Sequence, residues 1–352
     1  MSIGPNSEFH SLLRFQTPTV QAEGQEQAVP ATGSHAPRIE LHTGKLSKLM
    51  DFLFRKSLLT CSISVIAVMA LFFYELITRS KLSIARFGFS FFVGNTWDPV
   101  SGDFGALPFI YGTLVSSLLA LILAVPLAVG VSVFVTELCP RFLRGIVSFT
   151  VELLAAIPSV IYGLWGIFVL APLLHTVVQP WLSQYLGWTG FFDGPAYGIG
   201  MLAAGIILAI MIIPIIASIT REVLVAVPQS QREAVLALGA THWEMVRMAV
   251  LRNARAGIMG GIILGLGRAL GETMAVTMLI GNRPEIAKSL FAPGYTMASV
   301  IANEFSEAAD DMYLSALVEV GLVLLIVTVI VNACARLLVW SVTRGYSARN
   351  NA

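Results

Sequence analysis

Arg268 and Glu272 stand four residues apart inside 257-GIMGGIILGLGRALGETMAVTMLIG-281, a 25-residue run that is otherwise apolar and studded with glycine. At 1.5 Å per residue, a helix over this run would cross a hydrocarbon core about 30 Å thick, with both charges near its middle. An arginine at that depth costs roughly 2.5 kcal/mol or more. Spaced i, i+4, the two side chains share a helix face and can form an ion pair. Two roles fit: a salt bridge that lets both charges enter a bundle, or a pair lining a cavity or path, the usual setting of intramembrane charge. The first role is better filled by apolar residues, because a buried pair often stabilises no more than its hydrophobic replacement. Thr273, and Ser159 and Tyr162 in an earlier apolar run, add hydroxyls that either line such a path or bond between helices.

Other chemistries find no support in the residues. His10, His35, His42, His175 and His242 form neither a cluster nor an HExxH, so no metal site is expected. Cys61, Cys139 and Cys334 are scattered and read as apolar packing residues. GLGRALG follows no strand and lies in a span, which argues against a dinucleotide loop, and no G-x-x-x-x-G-K-[ST] occurs. The chain therefore lacks a P-loop, and uphill transport would draw its energy from a partner. Glu272 as the base of an intramembrane hydrolase would need a nucleophile or metal cluster within reach, and none is visible.

The elements that must position these residues are membrane spans. The chain is 56% hydrophobic and 12% charged, about half the charge of a soluble protein, so it reads as an all-α polytopic membrane protein. Six stretches are long and apolar enough to span: 57–77, 108–136, 146–173, 198–219, 257–281 and 313–340. Pro126, Pro158 and Pro214 fall within them, as membrane helices tolerate. Residues 1–50 read as a disordered cytoplasmic tail without a cleavable signal peptide. Residues 57–107 read as a first span and external loop, 108–341 as the core, and 342–352 as a cytoplasmic C-terminus. Residues 87–104 are a candidate for a seventh, partly inserted segment. With both termini inside, the inner segments hold 15 lysines and arginines and the outer ones 5, so N-in/C-in is expected. Net charge of +1, spread over short loops, gives no patch for nucleic acid. Gly257, Gly261 and Gly265, like Gly267 and Gly271, have the small-xxx-small spacing of close helix packing. Glu152 reads as an interfacial residue, and Glu319, inside the sixth span, has no assigned role.

The longest inner segment, 220–256, contains 221-REVLVAVPQSQREAVLALGATHWEMVRMAVLRNARAG-257. Pro228 can open a helix, Gly239 suits the left-handed position that ends it, and a second amphipathic helix follows from Thr241. Its exposed Ala and Leu suit a docking element for another protein. Glu233-Ala234-Val235, with Gly239 four residues on, resembles the EAA loop of ATP-binding-cassette importer permeases, the helix that seats in the ATPase. Val235, Ala249 and Arg252 depart from that family's pattern, while Glu233, Ala234, Gly239 and Leu251 match it.

Together with 112-GTLVSSLLALILAVPLAVG-130, 152-ELLAAIPSVIYGLWG-166 and 265-GLGRALGETMAV-276, the loop resembles the phosphate permeases of the type I ABC importer family. The resemblance covers about residues 57–345, and 152–166 sides with the PstC type over the sister PstA type. It implies that Arg268 and Glu272 serve phosphate passage, the guanidinium offering the anion a planar, bidentate donor fork. It implies ATPase coupling through Glu233, Ala234 and Gly239, and a place in the bacterial inner membrane. The partners implied are a PstA-like second permease, two PstB-like ATPase subunits that use ATP and Mg, and an extracytoplasmic PstS-like phosphate-binding protein. The chain itself would bind no cofactor. The alternatives are the sister permease, a permease for a related oxyanion, an ion-driven secondary carrier, for which no inverted repeat is evident, and an intramembrane enzyme.

Overall fold

In the computed structural model, residues 45–347 are described. His10, His35, His42 and all but the last six residues of the expected 1–50 tail lie outside that range. The chain divides into two units, Met1–Ile63 and Ser64–Ala352.

The described part of the first unit is the beginning of α1 (Lys45–Arg79). Phe52, Leu53, Phe54, Leu58 and Leu59 are all exposed, so apolar side chains surround this helix, as lipid requires. Its hydroxyls bond within the helix: Thr60 Oγ1 donates to the Lys56 carbonyl at 2.9 Å and Ser62 Oγ to that of Leu58 at 3.0 Å.

In the second unit, α2 (Lys81–Phe87), α3 (Ser90–Val93) and an antiparallel hairpin of β1 (Trp97–Asp98) and β2 (Asp103–Phe104) lead into α4 (Leu107–Val133). A π-helical turn over Phe134–Leu138 extends α4. Next come α5 (Arg141–Ala156), then α6 (Ser159–Trp165), α7 (Ala171–Leu173) and α8 (Gln179–Leu186), the last three joined by π turns. α9 (Met201–Val225) precedes α10 (Gln229–Ala237) and α11 (His242–Met245), and another π turn leads into α12 (Arg252–Leu270). α13 (Met274–Leu279), α14 (Met297–Glu304) and α15 (Asp311–Ser347) complete the described chain. Six helical stretches among the described residues are long and apolar enough to cross a membrane: Ser47–Arg79, Leu107–Leu138, Ser159–Thr189, Met201–Val225, His242–Leu270 and Asp311–Trp340.

Two of these differ from expectation. The apolar run 146–173 is not one helix. α5 stops at Ala156, Ile157 is extended with ψ 127°, and Pro158 precedes the first residue of α6. A proline drives the residue before it out of the helical region, and apolar continuity hides that break. The run 257–281 also divides. Its helix begins much earlier and ends at Leu270, leaving Gly271, Glu272 and Thr273 before α13. Glu272 is thus beyond the helix that carries Arg268, not on it. Pro126 and Pro214, by contrast, sit inside unbroken helices.

Small residues let the central helices approach closely. Ala120, Ala124 and Ala128 of α4 are fully buried, and Ser132 Oγ donates to the Ala217 carbonyl of α9 at 2.9 Å. Gly205 lies against Leu119, so α4 and α9 run parallel. The Gly257, Gly261 and Gly265 stripe packs on Val223, Ile219 and Ile216 in turn, which sets α12 antiparallel to α9. A Cβ would collide with those side chains at Gly257 and, 2.8 Å away, at Gly265, and would be tight at Gly261, at 3.3 Å, consistent with their even spacing on one face.

Residues 87–104 fold into an aromatic module rather than a further long helix. Phe91, Phe104, Phe109, Tyr295 and Tyr313 are buried together with Trp97 packed among them. Trp97 Nε1 and the Tyr313 hydroxyl both donate to Glu304 Oε2, at 2.8 and 2.7 Å. Phe109 opens α4 and Tyr313 opens α15, so these two helices start at the same end of the bundle and run alike. The beginning of α9 is completed from later in the chain. Gly200, Met201 and Leu202 donate their backbone N–H groups to the carbonyls of Leu279, Ala292 and Leu290 at 2.8, 3.1 and 2.8 Å. These are donors a helix cannot satisfy itself. Gly200 has φ 140° and a Cβ there would meet the Phe291 carbonyl oxygen at 2.5 Å, so both backbone and space call for glycine.

Candidate functional site

Arg268 occupies the last turn of α12 and Glu272 the break that follows. Their closest charged atoms, Arg268 Nη2 and Glu272 Oε2, are 3.7 Å apart. The two are unequally exposed: the carboxylate side chain is 7% accessible and the arginine 47%. At that separation the contact is an ion pair without a good hydrogen bond, so most guanidinium donors remain available. The arrangement is a cation held in the open by a buried counter-charge. Chemically it can attract an oxyanion while Glu272 limits how tightly it is held.

Arg268 lines a cleft of about 1070 Å³ between α12 and α15. Its polar walls also include Thr328, Asn332 and Arg336, which the sequence reading did not single out. Asn332 and Arg336 stand out in the sequence as polar residues of the sixth span, but their meeting with Arg268 is not visible there. Ser159, Tyr162 and Thr273 are not among the cleft's walls. Tyr162 is buried, and its hydroxyl donates to the Leu154 carbonyl at 2.7 Å, reaching back across the Pro158 break. Of the two roles open to that hydroxyl, bonding between helices is the one seen. Ser159 is the half-buried first residue of α6. Thr273 Oγ1 donates to the Gly271 carbonyl at 3.3 Å, and Thr277 Oγ1 donates to the Thr273 carbonyl at 2.7 Å, which stitches the second break. The two interrupted spans meet: Gly163 of α6 lies against Ala275 and Met278 of α13, and Tyr162 shares a buried cluster with Ala275 and Leu279.

At the end of the bundle where α4 and α9 finish, the segment 220–256 forms the helix pair expected of it. Pro228 precedes α10, and Gly239 ends it with φ 83°. Thr241 then caps α11 through a reciprocal box: Thr241 Oγ1 accepts from the Glu244 N–H at 3.3 Å, and Glu244 Oε2 accepts from the Thr241 N–H at 2.8 Å. Glu233 and Ala234 are exposed, beside exposed Leu236, Leu238 and Trp243. The segment is anchored by a residue the sequence reading passed over. Arg232 donates to Glu137 Oε1 at 3.1 Å and to the carbonyls of Leu224 and Val227 at 2.8 and 2.9 Å. Asn253 Nδ2 adds a bond to Gln231 Oε1 at 2.6 Å. Glu152, expected at an interface, accepts from Arg221 at 2.7 Å. Glu319 is buried, with Oε2 lacking a hydrogen-bond partner among the described residues.

A family model described as "Binding-protein-dependent transport system inner membrane component" matches residues 128–344. The chain belongs to this family. Both the α10 segment and Arg268 with Glu272 fall within the matched region. The phosphate transport system permease protein PstC of Mesorhizobium japonicum is 46% identical over 315 residues, covering 88% of this chain and 95% of that one. The PstC protein of Pasteurella multocida is 44% identical over 312 residues, covering 87% and 97%. A chain of a bacterial alginate ABC transporter, solved in complex with alginate pentasaccharide-bound periplasmic protein, shares the fold. Its TM-score is 0.55 at 17% identity, over 81% of this chain and 94% of that one. This member of the inner-membrane component family is therefore a multi-pass inner-membrane transport subunit with the ABC importer permease fold.

Proposed function

We propose that the chain is the PstC-type permease subunit of an ATP-driven phosphate importer, with Arg268 serving the anion's path and Glu272 tuning it. The observation that carries this reading is the exposed Arg268 guanidinium on a cleft above a buried Glu272. A path must attract its ion weakly enough to release it, and a half-compensated cation meets that condition. The Mesorhizobium japonicum, Pasteurella multocida and Haemophilus influenzae relatives, each named a phosphate transport system permease protein PstC and matched over most of its length, support phosphate as the substrate. Both termini face the cytoplasm, in line with the basic-residue count. α10 then projects into the cytoplasm and seats, through Glu233, Ala234 and Gly239, in a separate ATPase. A second, PstA-like permease completes the path, two PstB-like subunits use ATP and Mg, and a PstS-like protein delivers phosphate from outside. Closure of the ATPase dimer pushes α10 and opens the path outward, and hydrolysis with product release resets it inward.

The test is reconstitution of the complete complex in proteoliposomes with the phosphate-binding protein. Uptake of labelled phosphate, resisted by sulfate, should require internal ATP and the ATPase subunits. Uptake that persists without the ATPase under an ion gradient would overturn the reading in favour of a secondary carrier.

A further inference from the structure

The cleft of Arg268 contains a second cation. Asn332 and Arg336 are one turn apart on α15 and share a face, and both line the cleft with Arg268. That face lies close to α12: a Cβ built on Gly267 would sit 4.0 Å from the Asn332 side-chain amide. Since α15 runs antiparallel to α12, Arg336 lies about 6 Å beyond Asn332 toward the α10 end, at 1.5 Å per residue. Arg268 is partly neutralised by Glu272, whereas Arg336 has no ion pair among the described residues. Ile215, Leu264 and Val329 provide apolar walls around these groups.

Resting on the phosphate-path reading, we propose that Arg336, with the Asn332 amide, forms a second station for inorganic phosphate on the α10 side of Arg268. A single strong site would trap a dianion, and neighbouring sites of moderate strength let it move on. Asn332 supplies a donor between the two guanidiniums without adding fixed charge. Arg336 has no carboxylate beside it but is exposed, so solvent screening in place of a counter-charge keeps it a station of moderate strength to which the anion can step from Arg268. A basic residue near the end of an apolar helix commonly reaches for lipid headgroups instead. The cleft position distinguishes Arg336 from such an anchor, and the two roles respond differently to substitution.

The experiment compares Arg336→Gln, Arg336→Lys and Arg268→Gln in the complete complex in proteoliposomes, measuring phosphate uptake, ATP hydrolysis and the amount of assembled complex. For Arg336→Gln the expectation is wild-type assembly and uptake down tenfold or more, with ATP consumed per phosphate rising. Arg336→Lys, which keeps the charge, should fall between. Equal uptake per assembled complex in wild type and Arg336→Gln, while Arg268→Gln fails, overturns this inference and leaves the parent reading standing. Loss of assembly in Arg336→Gln with normal uptake per complex assigns Arg336 to lipid anchoring and also overturns it. Normal uptake in Arg268→Gln overturns both.

Discussion

Arg232 of α10 and Glu137, in the turn that extends α4, form a 3.1 Å ion pair with side chains only 15% and 8% accessible. The same guanidinium donates to two carbonyls, those of Leu224 at the end of α9 and Val227 in the turn between α9 and α10. One side chain therefore ties α10 to the ends of two central helices. In the proposed coupling, a push on α10 would reach α4 and α9 through this short polar link.

Glu137→Leu should be strongly destabilising, by about 3 kcal/mol, because it leaves a buried guanidinium without its counter-charge. Arg232→Met/Glu137→Leu should recover part of that loss, though the two carbonyl bonds stay broken. Thermal unfolding of the purified complex reads both. If the single and double variants unfold at the same temperature as wild type, the pair does not anchor α10.

Gly239→Val acts by a different route. Nothing lies within 4 Å of a Cβ built there, so the substitution meets no clash, and φ 83° alone sets the cost at about 1 kcal/mol or more. Association with the ATPase, followed by co-purification, should weaken while membrane insertion is unchanged. Normal ATPase coupling in this variant would count against α10 as the docking helix.

For the charged pair, Arg268→Leu alone strands a buried carboxylate, so assembly should fall. Arg268→Leu/Glu272→Leu should assemble normally and yet fail to move phosphate. Arg268→Lys should also be impaired, since an ammonium keeps the charge and loses the planar fork. Near wild-type uptake by a well-assembled double variant would reduce the pair to packing.

Tyr162→Phe removes only the bond to the Leu154 carbonyl. Stability should drop by about 0.5–1.5 kcal/mol, with uptake per assembled complex unchanged. An unaltered melting temperature with lower uptake would instead give the hydroxyl to the anion.

Orientation is checked by cysteine accessibility in a background without Cys61, Cys139 and Cys334. Gly239→Cys and Asp310→Cys both place the thiol at exposed positions. An impermeant thiol reagent added to intact cells should label position 310 and spare 239. The reverse pattern would invert the topology.

Periodicity and composition exposed much of this molecule to reading, since lipid forces each span to declare itself as a long apolar run. The Gly257, Gly261 and Gly265 stripe was legible for the same reason, because its spacing is local. Pro158 was harder, because hydropathy averages across a single residue whose effect is on the backbone of its neighbour. Glu272 was assigned to a helix face by counting, and nothing in the count shows that the helix stops at Leu270. Arg336 and Glu137 were missed because their significance lies in partners 68 and 95 positions away in the chain, at Arg268 and Arg232. No local pattern encodes such a meeting.

The loop that closes the start of α9 also dictates an order of events during synthesis. Leu290 and Ala292, which accept from Leu202 and Met201, emerge some 90 residues after them. At about 5–20 residues per second the ribosome supplies them roughly 4–18 s later. Through that interval the N–H groups of Met201 and Leu202 lack the carbonyls that accept from them in the folded chain. A nascent chain arrested before residue 280 should therefore be open to protease at residues 198–202, and one released after residue 296 should be closed.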